Sequence, residues 1–208
     1  MRKRSDETKG VIIAVARDLF FKVGYQLTTI EKIACHARIT KRTLYGYFPD
    51  KKALFLAVIK ETVGLPLVFS APVDAIDSSD DLYRTLVNIA KGLNDTYSSP
   101  NYVGLLRVII SELSNQPDLI DVRVSGVTQR AYEIVVEIFK DADKKGIIAS
   151  KEPELQAKSF VGGLLFDYYM SGLLSPDTAT MRRLTHEELL TYVGTCAPLL
   201  NVNILDKH

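Results

Sequence analysis

The sequence has few of the residues from which metal centres and disulfide scaffolds are built. It contains two cysteines and three histidines in 208 residues. Cys35 and Cys196 are far apart, which is typical of a protein in a reducing compartment. Cys35 and His36 are adjacent, whereas metal ligands on one helix usually lie three or four residues apart. We therefore predict no metal site and no cofactor.

Long hydrophobic runs are also missing. The most apolar window, residues 159–174, is 16 residues long and is interrupted by Asp167, whereas a membrane-spanning helix needs about 20 apolar residues. The first ten residues are polar and lack the apolar core of a signal peptide. We expect a soluble, cytoplasmic protein with no membrane partner.

The motifs of common enzyme classes are missing as well. The sequence has no nucleophile elbow, no phosphate-binding loop and no metal-spaced histidine cluster. The Gly162-Gly163 pair lies in an apolar helical stretch without a preceding strand, which favours close helix contact over a dinucleotide site. We predict that the protein is not an enzyme, with a catalytic site assembled from distant residues as the competing hypothesis.

Positive charge is concentrated in the first part of the chain. The net formal charge is only +1, but residues 1–60 hold 13 lysines and arginines against 5 acidic residues. Residues 61–208 hold 13 against 20. Halves of opposite sign indicate two functions, and a basic N-terminal module is the pattern expected of a nucleic-acid-binding domain.

Apolar residues recur with the period of an α-helix along nearly the whole chain, and almost no segment alternates as a strand does. Capping-box pairs indicate helix starts at Thr28 with Glu31 and at Thr185 with Glu188. A further start is predicted at Thr40. The pattern predicts an all-α protein of about nine helices without internal repeats.

Two short predicted helices, residues 28–36 and 40–48, are joined by a three-residue turn. Ile33, Ile39 and Leu44 have the spacing that packs two helices at a steep angle, as in a helix-turn-helix motif. The second helix of such a motif enters the major groove of DNA. Residues 40–48 are therefore the predicted recognition helix.

Polar residues around the recognition helix are the predicted DNA contacts. Lys41, Arg42 and Thr43 lie at its N-terminal end and are expected to reach base edges. Tyr45 and Tyr47 can hydrogen-bond phosphates, and a basic arm of residues 2–4 can add backbone contacts. Lys51 begins the next helix, whose dipole favours a phosphate. The full predicted set is Arg4, Thr28, Arg38, Thr40, Lys41, Arg42, Thr43, Tyr45, Tyr47 and Lys51.

The stretch FKVGYQLTTIEKIACHARITKRTLYGYFPDKKALF, residues 21–55, resembles the DNA-binding domain of the tetracycline-repressor (TetR) family. The family pattern runs Gly-Tyr-x-x-Thr-Thr, then Ile-Ala-x-x-Ala-Gly-Val-Ser-Lys, then Leu-Tyr-x-Tyr-Phe-x-x-Lys. The matching positions keep the register of the predicted helices. The detailed match extends over residues 8–56, and the remainder resembles the family in architecture only.

The resemblance implies a homodimeric transcription factor, most often a repressor of a pseudo-palindromic operator. It implies a DNA-binding domain in residues 1–50 and a helical effector-binding and dimerisation domain in residues 51–208. The dimer is expected to form through two helices, residues 153–174 and 185–200. A small molecule in the C-terminal domain would release the DNA by moving the two recognition helices apart.

One position departs from the family pattern. Arg38 stands in the turn where the family usually has glycine. A left-handed backbone at that position costs any residue other than glycine about 1–2 kcal/mol. Either the turn adopts another conformation, or the arginine side chain compensates by contacting a phosphate. Simple tolerance of arginine is favoured over a dedicated DNA contact.

The candidates for the effector site are Arg107, Tyr132, Phe139 and Phe166. A solvated helix face explains Arg107 as well, and ordinary core packing explains the three aromatic residues. A buried Asp167 needs a partner, which is either an effector or a polar network at the dimer interface, and the network is favoured. The alternative function is a DNA-binding architectural or interaction protein that is regulated by a protein partner.

Overall fold

The predicted all-α fold is confirmed. The computed structural model describes residues 2–63, 76–112, 126–174 and 182–196, which form nine α-helices and no strand. The helices are α1 (Arg2–Val23), α2 (Ile30–His36), α3 (Lys41–Tyr47), α4 (Lys51–Val63), α5 (Ser79–Tyr97), α6 (Pro100–Glu112), α7 (Gly126–Lys144), α8 (Pro153–Leu174) and α9 (His186–Cys196).

Hydroxyl side chains cap several of these helices, and two of the predicted starts are found in the structure. The hydroxyl of Thr40 accepts a hydrogen bond from the Thr43 amide at 3.1 Å and so caps α3. At α9 the amide of Glu188 donates to the Thr185 hydroxyl at 3.2 Å, and the Thr185 amide donates to the Glu188 carboxylate at 2.9 Å. This reciprocal pair is a capping box.

The predicted capping box at the start of α2 is wrong by one residue. Thr29, not Thr28, caps α2, since its hydroxyl accepts from the Lys32 amide at 3.2 Å. The Thr28 hydroxyl instead donates to the carbonyl of Gly24 at 2.8 Å, and the residue is fully buried. Glu31 gives Thr28 the capping-box spacing, but Thr28 is buried in the structure and the adjacent Thr29 is the cap.

The chain divides into two compact units. The first comprises residues 1–65 and 101–124, and the second comprises residues 66–100 and 125–208. The first unit therefore holds α1 to α4 and nearly all of α6, whereas the second holds α5, α7, α8 and α9. This structural division differs from the functional boundary expected after residue 50, because α4 and α6 contribute to the core that supports the helix-turn-helix.

An aromatic cluster forms the centre of the first unit. The ring centroid of Phe55 on α4 lies 5.2 Å from that of Phe20 on α1 and 4.8 Å from that of Tyr25 in the loop after α1. Leu44 and Phe48 are buried in the same core, as the four-residue spacing predicts. Contacts of this kind fix the orientation of α3 relative to α1 and α4.

Helix α6 packs closely on α1 within the first unit. Leu105, Val108 and Ile109 are buried in the core described above. Gly104 permits the approach, since a methyl group in its place would lie 2.7 Å from Cδ2 and 2.9 Å from Cγ of the Phe21 ring. The support for the DNA-binding helices thus comes partly from a helix distant in sequence.

Replacing Gly104 by alanine is expected to destabilise the protein by about 1–3 kcal/mol, because the added methyl group overpacks the contact with Phe21. Gly10→Ala is the matched control, since Gly10 also lies inside a helix of this unit but has no atom within 4 Å of the new methyl group. Gly10→Ala should stabilise by up to about 1 kcal/mol through helix propensity. Thermal unfolding of both variants tests the difference, and equal shifts would contradict the close packing.

In the second unit a buried amide joins three elements. Asn94 on α5 is 2% exposed. Its Nδ2 donates to the carbonyl of Leu184 at 3.1 Å, and its Oδ1 accepts from the Leu184 amide at 3.1 Å. The hydroxyl of Tyr168 on α8 also donates to this oxygen. The entry to α9 is thereby held against α5 and α8.

The Gly162-Gly163 pair of α8 has two different surroundings. A methyl group at Gly163 would lie 2.5 Å from the hydroxyl of Tyr192 on α9, which donates to the carbonyl of Phe160 at 2.5 Å. The expected close contact between helices is therefore present at Gly163. Gly162 is exposed, and no atom lies within 4 Å of a methyl group placed there.

Candidate nucleic-acid interface

Helices α2 and α3 form the predicted helix-turn-helix. Ile33 and Leu44 are fully buried between them and the rest of the unit. The turn is closed by hydrogen bonds from the Ala37 amide to the Ile33 carbonyl, at 2.9 Å, and from the Ile39 amide to the Ala34 carbonyl, at 3.0 Å. These contacts place α3 with one face inward and the opposite face in solvent.

The turn adopts the left-handed conformation despite the arginine. Among the described residues, Arg38 is the only one other than glycine that has a positive φ, and its value is 52°. The first of the two predicted alternatives, another turn conformation, is therefore wrong. The backbone carries a cost of about 1–2 kcal/mol at this position. The side chain is exposed beside α3, where a phosphate contact stays a prediction.

The outward face of α3 is polar and accessible. Lys41, Arg42, Thr43 and Tyr45 are exposed, and Tyr47 is half-buried against the core. Arg42 has neither a hydrogen bond nor an ion pair with any part of the chain that the structure describes. An arginine without a partner can present its planar set of donors to a guanine edge or a phosphate.

Lys41 has a partner on the neighbouring helix. Its ammonium group forms an ion pair with the carboxylate of Glu31 on α2, and both side chains are more than half exposed. The hydrogen bond from Lys41 lowers the pKa of the Glu31 carboxyl below its usual value. The Glu31 carboxylate therefore stays ionised to a lower pH than the carboxylate of an unpaired glutamate, and on acidification the pair is lost as the pH falls through that lowered pKa.

Two of the predicted DNA contacts point into the protein instead. Thr28 is fully buried and its hydroxyl is bonded to Gly24, so its side chain is not accessible to DNA. The ammonium group of Lys51 donates to the carbonyls of Tyr25, at 2.8 Å, and Thr28, at 2.9 Å. It also lies 4.2 Å from the centroid of the Tyr25 ring. Lys51, which is half-buried, thus holds the loop between α1 and α2 through these hydrogen bonds.

A buried carboxylate supports the same loop from α6. Glu112 is 4% exposed and accepts a hydrogen bond from Nε2 of Gln26 at 2.6 Å. Burial lowers the pKa of Lys51, and the nearby charge of Glu112 acts in the opposite direction. No local sequence pattern indicates this contact, because Gln26 and Glu112 are 86 residues apart.

The N-terminal basic arm is the beginning of a helix. Residues 2–4 lie in the first turn of α1, although the side chain of Arg4 lies outside the described residues. Thr40 uses its hydroxyl to cap α3 and is exposed beside it. The structure therefore brings Arg38, Thr40, Lys41, Arg42, Thr43 and Tyr45 to one exposed face, with Tyr47 at its edge.

The four candidate effector residues are divided between the two compact units. Arg107 lies in the first compact unit and is half-buried, whereas the three aromatic residues lie in the second. There Phe139 is 1% exposed and belongs to the core, while Phe166 is 64% exposed on α8. Tyr132 is half-buried on α7. The side chain of Asp167 lies outside the described residues.

Two hollows are lined by described residues. One, of about 80 Å³, lies in the first unit beside Arg17 and Thr62, and the other, of about 190 Å³, lies in the second unit beside Asn94 and His186. None of the four candidate effector residues lines either hollow. No group of three or more possible metal ligands occurs among the described residues.

Comparison with known protein families agrees with this geometry. Residues 12–58 match the model of bacterial regulatory proteins of the tetR family, which covers the helix-turn-helix. Residues 84–192 match the model of the AefR-like transcriptional repressor C-terminal domain, which is more than half of the chain. The chain belongs to the TetR family. It is a DNA-binding transcriptional regulator and not an enzyme.

Single relatives extend the comparison. YdeS of Bacillus subtilis, an uncharacterised HTH-type transcriptional regulator, is 29% identical over 91 residues, which is 42% of this chain and 46% of YdeS. The match thus spans about half the length of YdeS.

Two solved structures match nearly the whole chain. A transcriptional regulator from Mesorhizobium loti has a TM-score of 0.74 and 22% identity, with 95% of this chain and 96% of that chain covered. The flavonoid-responsive regulator FrrA has a TM-score of 0.71 and 21% identity, with 94% and 95% covered. At these identities the two structures establish the fold alone.

No helix in the described ranges is long and apolar enough to cross a membrane.

Proposed function

We propose that this TetR-family regulator is a homodimeric repressor that binds a pseudo-palindromic operator and is released by a small molecule. The observation that carries the proposal is the exposed face of α3, where Arg42 is unpaired within the described residues while Leu44 and Phe48 anchor the helix from behind. A recognition helix needs this combination of a fixed backbone and free polar side chains.

The contacts to DNA divide by position on the motif. Lys41, Arg42 and Thr43, at the N-terminal end of α3, are assigned to base edges in the major groove. The hydroxyl groups of Thr40, Tyr45 and Tyr47 and the cations of Arg38 and Arg4 are assigned to phosphates, which position the protein without reading sequence. Thr28 and Lys51 are removed from the predicted set, since both side chains are engaged inside the protein.

The surface of α8 supports a dimer. Leu155, Phe166 and Met170 are 57%, 64% and 49% exposed. Together with the exposed Gly162 they form a stripe at helical spacing, which we call the α8 stripe. Exposed apolar side chains in a row are typical of a surface that is covered by a partner. A two-fold dimer through α8 and α9 would bury this stripe against its own copy.

The second compact unit is assigned to effector binding. Its match to the AefR-like repressor C-terminal domain supports a repressor, and FrrA, of similar fold, is described as flavonoid-responsive. A ligand that favours one spacing of the two recognition helices would change DNA affinity by its differential affinity for the two states. Such a regulator acts on the bacterial chromosome, which places it in the cytoplasm.

Selection of bound fragments from genomic DNA at about 0.15 M salt tests the proposal. The wild-type protein should recover a pseudo-palindrome with half-sites about one helical turn apart. Arg42→Ala should lose about 1–3 kcal/mol of discrimination at one base position, roughly 5- to 150-fold. Lys144→Ala, which removes an exposed lysine at the end of α7, should leave the selected sequence unchanged.

Two results would count against the proposal. Recovery of no sequence above the level of competitor DNA would favour the alternative of an architectural or interaction protein controlled by a protein partner. An unchanged preference in Arg42→Ala would show that Arg42 reads no base, which would remove the observation that carries the proposal.

A further inference from the structure

An acidic residue lies within the DNA-binding face. Glu31 is the only aspartate or glutamate in residues 28–48, a stretch that also holds four lysines and arginines. It lies on α2, is more than half exposed, and pairs with Lys41 at the start of α3. A carboxylate beside the proposed reading residues is unfavourable near phosphates, so its presence there requires an explanation.

The ion pair with Glu31 restricts the phosphate contacts that Lys41 can make. A free lysine side chain can follow any nearby phosphate, and each such contact strengthens binding to DNA of every sequence. The ion pair instead draws the ammonium group back toward α2, as its contact with Glu31 shows. A phosphate that approaches the paired ammonium group also approaches the Glu31 carboxylate, which repels it because both are negatively charged. A neutral base edge is not repelled in this way.

In a matched operator, the Lys41 ammonium and the Glu31 carboxylate can both contact base edges instead of phosphates. An ammonium group has three donors, so Lys41 can keep its bond to Glu31 while it donates to a guanine edge. A carboxylate can also accept from the amino group of cytosine. Both contacts depend on the base pair that is present, and neither is offered by the phosphate backbone.

We propose that Glu31 is a specificity-determining residue, which holds Lys41 away from phosphates and so weakens binding to non-operator DNA more than binding to the operator. This inference rests on the proposed function, because it requires α3 to be the recognition helix. It assigns to Glu31 a role in discrimination rather than in overall affinity.

Glu31→Gln tests this role on a random-sequence duplex of about 30 base pairs. Release of Lys41 should add one phosphate contact, which steepens the dependence of log K on log salt by about 0.9 and tightens binding about 5-fold at about 0.15 M salt. Glu137→Gln is the matched control, since it makes the same change of charge on the exposed side of α7. It should change binding less than 2-fold.

A double variant separates release of Lys41 from simple loss of repulsion. In a Lys41→Gln background, Glu31→Gln should tighten binding to the random duplex by less than half as much as it does in the wild type. An equal gain in both backgrounds would overturn the pairing role, and so would a Glu31→Gln variant that behaves like Glu137→Gln.

The random duplex keeps this test independent of the operator. If genomic selection finds no site, the proposed function fails while the duplex measurement still reports on the pair. If a site is found, its affinity should rise less in Glu31→Gln than the affinity for the random duplex. A greater rise at the operator would contradict the inference. Thermal unfolding of each variant confirms that the exposed substitution leaves the fold intact.

Discussion

Phe166→Glu is expected to produce a folded monomer that binds operator DNA about 100-fold more weakly than the wild-type protein. Phe166 is 64% exposed near the middle of the α8 stripe, so the substitution removes few contacts within the chain itself. In a two-fold dimer, however, a residue of this stripe faces the same stripe of the partner. Two buried carboxylates without partners oppose association strongly.

The loss of DNA binding follows because a monomer lacks the second recognition helix, which the partner subunit supplies in the dimer. Once one half-site of a dimer is bound, the second binds at a high effective concentration, which raises affinity by about 10²–10⁴. A monomer forfeits this gain while its α3 remains intact. Sedimentation analysis and DNA titration of the same preparation measure the two effects together.

Ile110→Glu provides the control for Phe166→Glu. Ile110 is 50% exposed on α6, so the same charge replaces an apolar side chain of similar exposure away from α8 and α9. It should leave the molecular mass in solution and the DNA affinity near their wild-type values. A Phe166→Glu protein that remained dimeric would refute the α8 interface, even if its DNA binding were reduced.

Lys51→Met is expected to lower the free energy of unfolding of the first compact unit by about 2–3 kcal/mol. The substitution keeps an apolar stem but removes the donor that binds the carbonyls of Tyr25 and Thr28. Hydrogen bonds to a charged group contribute about 1.5–3 kcal/mol each. The Tyr25 carbonyl still accepts from the Thr28 amide at 3.3 Å after the substitution, so the expected cost is that of the lost lysine bonds. Water reaching the half-buried site offsets part of this loss.

The effect of Lys51→Met on DNA binding distinguishes a structural lysine from a phosphate contact. If Lys51 supports the loop before α2, affinity should fall for all sequences while the salt dependence stays the same, because no phosphate contact is removed. A phosphate contact predicts instead that the dependence of log K on log salt becomes shallower by about 0.9.

Lys60→Met makes the same change near the end of α4, where the side chain is exposed. It should alter stability by less than about 0.5 kcal/mol. Urea unfolding followed by circular dichroism compares the two variants, at fixed protein concentration because the protein is expected to dimerise. Equal midpoints for Lys51→Met and Lys60→Met would show that the contacts of Lys51 add nothing.

The local features of the chain were predicted well where the signal is itself local. The capping box of Thr185 with Glu188, the start of α3 at Thr40 and the burial of Leu44 follow from the spacing of neighbouring residues. The error at Thr28 has the same origin, because Glu31 gives Thr28 the spacing of a capping box, whereas in the structure Thr28 is buried and Thr29 is the cap.

The directions of long polar side chains were not predictable in this way. Lys51 and Lys41 are both basic residues at the start of a helix, and the sequence assigns both of them to DNA. In the structure one ammonium group turns inward to loop carbonyls and the other pairs with Glu31. A lysine has four rotatable bonds, so its direction depends on which acceptors the fold brings within reach.

The sequence by itself determined the helical class and the helix-turn-helix, because periodicity, caps and turn spacing are encoded by residues close together in the chain. The motif of residues 21–55 carries the resemblance to the TetR family. Only the tertiary structure decided that α6 completes the core of the DNA-binding unit and that Glu112 supports the loop before α2. The physical reason is distance in sequence, since a contact across 86 residues leaves no periodic trace in either segment.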